Sequence, residues 1–172
     1  GRHINFTSKD LDLVETFKKC LSLENRIGRK TRGGEDEKKY FQVQFGDKNF
    51  YDFLLNLGLT PAKSRTIGEL KIPNEYFADF FRGCIDGDGS IGFYSHPESR
   101  HPQLRLRLVS AGAGFLEWIK GNISSLYGVE GGWIESKENQ ISVLSYAKSD
   151  SIKLFPVIYY AGVEFYLRRK YD

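Results

Sequence analysis

Two stretches of this chain carry one pattern at a fixed distance, and any fold has to accommodate both. "INFTSKDLDLVETFKKCLSL" starts at Ile4 and "LRLVSAGAGFLEWIKGNISSLYG" starts at Leu106, an offset of 106 − 4 = 102. At that offset Ser8 meets Ser110, Leu13 meets Phe115, Val14 meets Leu116 and Phe17 meets Ile119. Each stretch reads as a strand end, a helix start at Ser or Thr, and an amphipathic helix. The correspondence continues. "KYFQVQF" (Lys39 to Phe45) alternates apolar and polar residues with period two, and "QISVLSYAK" (Gln140 to Lys148) alternates through Leu144 and Tyr146. "RIGRKTR" and "GGWIESK" fit the strands before them. "KNFYDFLLNLG" and "SDSIKLFPVIYYAG", the latter interrupted by Pro156, fit helices after them. Each repeat reads strand, helix, strand, strand, helix, so the chain is α+β with antiparallel sheets.

The second repeat has something extra in front: a helix starting near Asn74, after Pro73, and a strand from Ser90 to Ser95. With these it reads α-β-β-α-β-β-α. Subtracting the offset of 102 from Glu75 gives −27, so a matching first helix would lie about that far before Gly1. The chain contains no methionine and begins at Gly1. The expectation is a processed product or part of a longer protein. Residues 1–72 are then a first repeat lacking its front helix and first strand, and residues 73–172 a complete second repeat.

The end of that front helix poses an electrostatic problem. In "FFRGCIDGDGSIGF" (Phe80 to Phe93) an apolar helical stretch stops in Asp86-Gly87-Asp88-Gly89. Tyr76, Phe77, Phe80, Phe81, Cys84 and Ile85 make one broad apolar face. Asp86 and Asp88 then fall where the helix dipole is negative, which repels each carboxylate by about 0.3–1 kcal/mol. Gly87 and Gly89 suit an exit through backbone conformations closed to other residues. A cation at the helix end, such as a hard divalent ion taking oxygen ligands, would relieve the repulsion. The same letters also suit a solvated Asp-Gly turn or the opening of a hairpin. An EF-hand is excluded: its sixth and twelfth positions are Ile91 and Pro97 counted from Asp86, and Phe93 and Ser99 counted from Asp88.

Composition narrows the partners. The 172 residues hold 27% charged side chains and a net charge of +3, with basic clusters at Arg26 to Arg32 and Leu167 to Lys170. No apolar run reaches membrane length and no signal peptide is recognisable, which fits an intracellular, non-secreted protein. Cys20 and Cys84 read as small core residues in a reducing compartment. Strand alternation assigns faces. In "HPQLRLRLVS", Leu104, Leu106 and Leu108 share one face, and Gln103, Arg105 and Arg107 the other. Ile4 and Phe6 point inward, with His3, Asn5 and Thr7 outward. With Ile91 and Phe93 in the core, Ser90, Gly92, Tyr94 and His96 point outward, and Gln42 and Gln44 share an outward face. One such face alone is ordinary solvated sheet. Several together, beside an acidic metal-type site, suit base edges in a DNA major groove.

Phe81 to Gly89, "FRGCIDGDG", resembles the motif that names the LAGLIDADG homing endonucleases. Gly83, Ile85, Asp86, Asp88 and Gly89 match the namesake letters; Phe81 and Cys84 stand for Leu, Gly87 for Ala, and Arg82 departs from Ala. "LGLTPAKSRTIGELKIP" before the motif, "YLRRKYD" at the end, and the repeat itself are similar to the family too. The resemblance implies two repeats packed through their motif helices, with curved antiparallel sheets forming a saddle on double-stranded DNA. It implies Mg²⁺ held by Asp88 and the Gly87 carbonyl, with Asp86 shaping the turn. It also implies a metal-dependent hydrolysis of phosphodiester bonds. A basic side chain, Lys63 in the first repeat and one within Arg168 to Lys170 in the second, assists by stabilising charge on phosphate. Ser8 and Ser110 fall where relatives place a polar residue that orients solvent. Candidate DNA contacts are Arg105, Arg107, Gln103, Ser90, Gly92, Tyr94, His96, His3, Asn5, Gln42, Gln44, Arg26, Lys30 and Arg32.

Double-strand cleavage needs one acid per repeat, and this chain shows one. A preceding segment with a second acidic motif, or a second copy of the chain, would supply the other. The chain alone would then be inactive or a nickase, with Tyr76, Phe77, Phe80 and Phe81 the face left waiting for the absent helix. The alternative is a nucleic-acid-binding relative without cleavage, such as an intron maturase or a transcription regulator. A carbohydrate or protein binder has no motif here.

Overall fold

The computed structural model describes residues 2–31, 39–95, 101–137 and 141–172; Arg32 and His96 lie outside them. The first repeat runs β1 (His3–Ser8), α1 (Leu11–Cys20), β2 (Gly28–Lys30), β3 (Tyr40–Gly46) and α2 (Lys48–Asn56). A connecting stretch holds a 3-10 turn at Lys63–Arg65. A second, at Asn74–Tyr76, leads into α3 (Phe77–Asp88). The second repeat continues with β4 (Gly89–Tyr94), β5 (Gln103–Ser110), α4 (Ala113–Tyr127), β6 (Trp133–Lys137), β7 (Ile141–Tyr146), α5 (Lys148–Ile158) and α6 (Arg168–Tyr171). Among the described residues, no helix is long and apolar enough to cross a membrane.

The repeat shows at atomic detail. One sheet has the order β1-β3-β2 and the other β4-β5-β7-β6, with antiparallel pairing throughout. The Ser8 hydroxyl oxygen accepts the Asp10 N–H at 3.0 Å, and the Ser110 oxygen accepts the Gly112 N–H at the same distance. Asp10 and Gly112, 102 residues apart, are the N-caps of α1 and α4. Asp10 caps with its side chain, taking the Asp12 N–H. Position 112 must be glycine, since a Cβ there would stand 2.7 Å from the Ile67 carbonyl oxygen. The first sheet lacks the strand corresponding to β4, so β1 pairs only with β3 among the described residues.

The main core belongs to the second repeat. Phe77, Phe81, Ile85, Leu106, Leu108, Leu116, Ile119, Leu144 and Leu154 are fully buried together. Leu59, Ile67, Leu70 and Ile72 of the connecting stretch pack onto it. Among its described residues from β1 to α2 the first repeat buries only Val14 and Val43 fully, and its helices lie on a run of rings: Phe6–Phe17 at 4.2 Å, Phe17–Phe45 at 6.4 Å and Phe45–Phe50 at 6.0 Å.

Four expectations are corrected. The aromatic face of α3 is not waiting for another helix: α4 covers it, with Trp118 5.7 Å from Phe77 and Phe115 6.3 Å from Phe80. Tyr76 falls in the 3-10 turn before the helix and is 60% exposed. Phe93, read as core, is 72% exposed because it sits one residue from the end of edge strand β4. Cys20 is the last residue of α1 and is exposed.

Candidate active site and nucleic-acid interface

The end of α3 is built around three side chains and one close approach. Gly89 leaves the helix in an extended conformation, not a left-handed one. Glycine is required there because a Cβ would meet the Ile85 Cα at 2.7 Å and the Ile85 carbonyl oxygen at 2.8 Å. Asp86 is buried, and its carboxylate accepts the Leu167 N–H at 3.0 Å and the Tyr159 hydroxyl at 3.1 Å. It therefore ties the C-terminal segment to the helix, a larger part than shaping a turn. Burial holds its carboxyl above the usual carboxylate range, and the Leu167 and Tyr159 donors pull it back.

A cation does sit at the helix end. The Lys170 ammonium donates to the carbonyls of Ile85 at 2.6 Å, Asp86 at 2.8 Å and Gly89 at 2.7 Å. All three of its N–H bonds are used, so in this arrangement Lys170 has none left for a phosphate. Burial, with Arg169 adding, lowers its pKa; Asp86, Asp88 and Asp10 draw it up. None of its acceptors is the Gly87 carbonyl.

Asp88, the last residue of α3, is exposed. It lines a cavity of about 660 Å³ together with Lys63, Ser64, Phe80, Cys84 and Ser110. Three of the residues singled out in the sequence thus meet in one place, carried by three elements: the end of α3, the 3-10 turn at 63–65 and the end of β5. Cys84 is inert there: burial, with the charge of Asp88 behind it, pushes its thiol up to about 12. Ser8 lies on the other flank. It caps Asp10, whose carboxylate accepts the Arg169 Nε–H at 2.6 Å. Each serine therefore neighbours the basic segment of the opposite repeat. Arg168 lines a separate groove with Asp12, Glu15 and Lys19.

The side of α3 facing the first repeat is open. Cβ atoms added at Gly83 or Gly87 would meet nothing within 4 Å. Gly83 borders a groove of about 550 Å³ between α1 (Leu13, Phe17, Cys20) and α3 (Asp79, Arg82, Asp86). Arg82 lines this groove and reaches into the C-terminal segment, whose Tyr160, Glu164 and Phe165 line it too. It donates to the carbonyls of Phe165 at 2.9 Å and Ile158 at 3.2 Å, with Asp79 at 2.7 Å. Sequence reasoning missed this anchor, although an arginine three residues after an aspartate on an apolar helix was its signal.

Both sheets present a polar open face. In the first, Asn5 faces Gln44 and Thr7 faces Gln42 across the β1–β3 pair, and Gly28 faces Gln42 from β2. Asn5, Gln42, Gln44, Arg26 and Lys30 line a shallow hollow there, and His3 continues the face outward. In the second, Ser90, Arg107 and Trp133 form one row with Ser145, itself buried between Arg107 and Trp133, and Gly92 faces Arg105. The Arg107 guanidinium lies 4.6 Å over the Tyr94 ring, and Tyr94 and Ser90 share a 3.4 Å hydrogen bond. Gln103 faces Tyr94 at the strand end. Trp133 and Glu135, joined by a 2.6 Å bond, extend this face and were not singled out in the sequence.

No family model matches the sequence, and no curated protein matches it. Solved structures do. The homing endonuclease I-WcaI bound to its DNA recognition sequence is similar over 99% of this chain and 75% of that one, at 10% identity and a TM-score of 0.67. I-DmoI in complex with DNA and Mn is similar over 94% and 82%, at 15% identity and a TM-score of 0.60. The N-terminal LAGLIDADG domain of DUF199/WhiA is similar over 98% and 75%, at 14% identity and a TM-score of 0.55. The chain has the α+β fold of the LAGLIDADG homing endonucleases.

Proposed function

We propose that the chain binds duplex DNA along the open faces of its two sheets and supplies one hydrolytic centre of a site-specific, metal-dependent endonuclease. The observation that carries this is Asp88 at the end of α3, sharing a cavity with Lys63 and Ser110 on this fold. Asp88 and the Gly87 carbonyl would hold Mg²⁺. The donors are hard oxygens with a single carboxylate, and Mg²⁺ takes one or two carboxylates plus waters and phosphate oxygens. Among the described residues no three His, Cys, Asp or Glu side chains cluster, so the site offered is of this open kind and not a closed cage. When bound, the ion supplies an activated water and positive charge at the phosphate. Lys63, which lines the same cavity, would bring its ammonium to stabilise negative charge developing on that phosphate. Ser110, whose oxygen takes the Gly112 N–H, keeps its hydroxyl proton to orient solvent. Lys170 positions the helix end.

The gap between α1 and α3, the bare side of Gly83 and Gly87, and the unpaired side of β1 fit one occupant: a second motif helix with its strand. We assign it to a segment preceding residue 1, making residues 1–72 part of a first repeat and 73–172 a complete second. Selection of a randomised duplex library with Ca²⁺, followed by Mg²⁺, tests the function. The expected result is an enriched duplex nicked on one strand, and cut on both once the preceding segment is added. Double-strand cuts by this chain alone would overturn the one-centre assignment. A single carboxylate also favours a second reading, a non-cleaving nucleic-acid binder. Enrichment without any nicking, with or without the segment, would establish that reading in place of the first.

A further inference from the structure

We infer that the two open faces read different bases: amides of the first sheet read adenines, guanidiniums of the second read guanines, and the two halves of the DNA target differ accordingly. This rests on the DNA reading proposed above. The repeat makes the comparison position by position. Asn5 plus the offset of 102 is Arg107, and His3 plus the same offset is Arg105. These pairs occupy the same place in β1 and β5. Asn5 stands opposite Gln44 of β3 as Arg107 stands opposite Ser145 of β7. At matched sites, then, one sheet carries an amide pair and the other a guanidinium beside a small hydroxyl.

Both sets are held in fixed orientations. Thr7 donates to the Asn5 side-chain oxygen at 2.9 Å, and the Gln42 side-chain N–H donates to the Gln44 oxygen at 3.3 Å. Each amide keeps a donor and a lone pair for the N7 and N6 edge of adenine, the bidentate partner of Asn and Gln. The Arg107 guanidinium carbon lies 4.6 Å from the Tyr94 ring centroid, and its Nε is buried, with no acceptor among the described residues. The terminal nitrogens of its planar fork match the O6 and N7 acceptors of guanine, the commonest specific base contact of arginine. Its strand is also central, flanked by β4 and β7, as β3 is flanked by β1 and β2. Arg26 and Lys30, beside and on the short edge strand β2, are left for phosphates.

The test is base preference measured on the enriched duplexes in Ca²⁺, for the unaltered chain and three variants. The expected target has adenines in one half and guanines in the other. Asn5→Ala with Gln44→Ala should lower discrimination about 5- to 150-fold per base pair in the adenine half only. Arg107→Ala should do so in the guanine half only, and Arg107→Lys should restore affinity without restoring guanine preference. Halves with the same preferred base, loss in the wrong half, or full rescue by lysine would each overturn the partition while leaving DNA binding intact. No enriched duplex at all would overturn the DNA reading, and the partition with it.

Discussion

Lys170→Met removes an ammonium and keeps most of its apolar stem. In the folded chain that ammonium meets three carbonyls, of Ile85, Asp86 and Gly89, at 2.6–2.8 Å. A hydrogen bond to a charged group contributes about 1.5–3 kcal/mol, and desolvating the ammonium takes back several kcal/mol. The loss of a cation at a helix C-terminus adds about 0.3–1 kcal/mol. Lys170 is only half-buried, so water reaches part of the vacated site. The net expectation is about 2–3 kcal/mol of lost stability, since three carbonyls lose a partner together. For a chain of this size that lowers Tm by about 4–12 °C. Arg169→Met is the control: its ion pair with Asp10 is 60% exposed on the arginine side, and exposed pairs contribute about 0–1 kcal/mol. Thermal denaturation followed by circular dichroism measures both. A Lys170→Met chain melting within about 1 °C of the unaltered one would refute the view that this ammonium holds the helix end.

Asp86→Asn tests the buried carboxylate through pH. The Asp86 carboxyl is held above its ordinary value, so its stabilising contribution is fully present below the unfolded pKa, about 3.9. That contribution is lost as pH rises through the folded value; Tm measured across this window should fall less in Asp86→Asn than in the unaltered chain, and equal slopes would count against the assignment. Gly89→Ala should cost more than about 2 kcal/mol by denaturant titration, since the new methyl meets Ile85 backbone at 2.7 Å. Gly83→Ala, inside α3 with nothing within 4 Å of the new methyl, should stabilise the isolated chain by about 0.5–1 kcal/mol yet weaken capture of the preceding segment; equal capture would show that no helix packs there.

What the sequence disclosed follows from what is local. The alternation of Leu104, Leu106 and Leu108 is a short-range signal, and β5 appears where it places a strand; the helix starts expected at Ser or Thr fall two residues later, with Asp10 and Gly112 the N-caps and Ser8 and Ser110 bonded to their N–H groups. Asp88, Lys63 and Ser110, far apart in sequence, line one cavity. What escaped was long-range. Nothing near Phe77 in sequence says that Trp118, forty-one positions on, will cover it. The helix end was read as calling for a divalent ion; that the Lys170 ammonium meets its carbonyls depends on how Asp86 and Arg82 fold the C-terminal segment back. Gly89 was credited with backbone freedom, whereas its need is room beside Ile85.

The most direct test of the account is Asp88→Asn, compared with the unaltered chain on the enriched duplex for affinity and for Mg²⁺-dependent strand cleavage. Asp88 is exposed and its carboxylate caps nothing among the described residues, so the variant should keep its stability. Phosphate and base contacts along the sheets are untouched, so affinity should stay within about threefold, while cleavage of the strand served by this centre should cease. Cleavage at the unaltered rate by Asp88→Asn would contradict the account, because the only exposed motif carboxylate would then take no part in the chemistry.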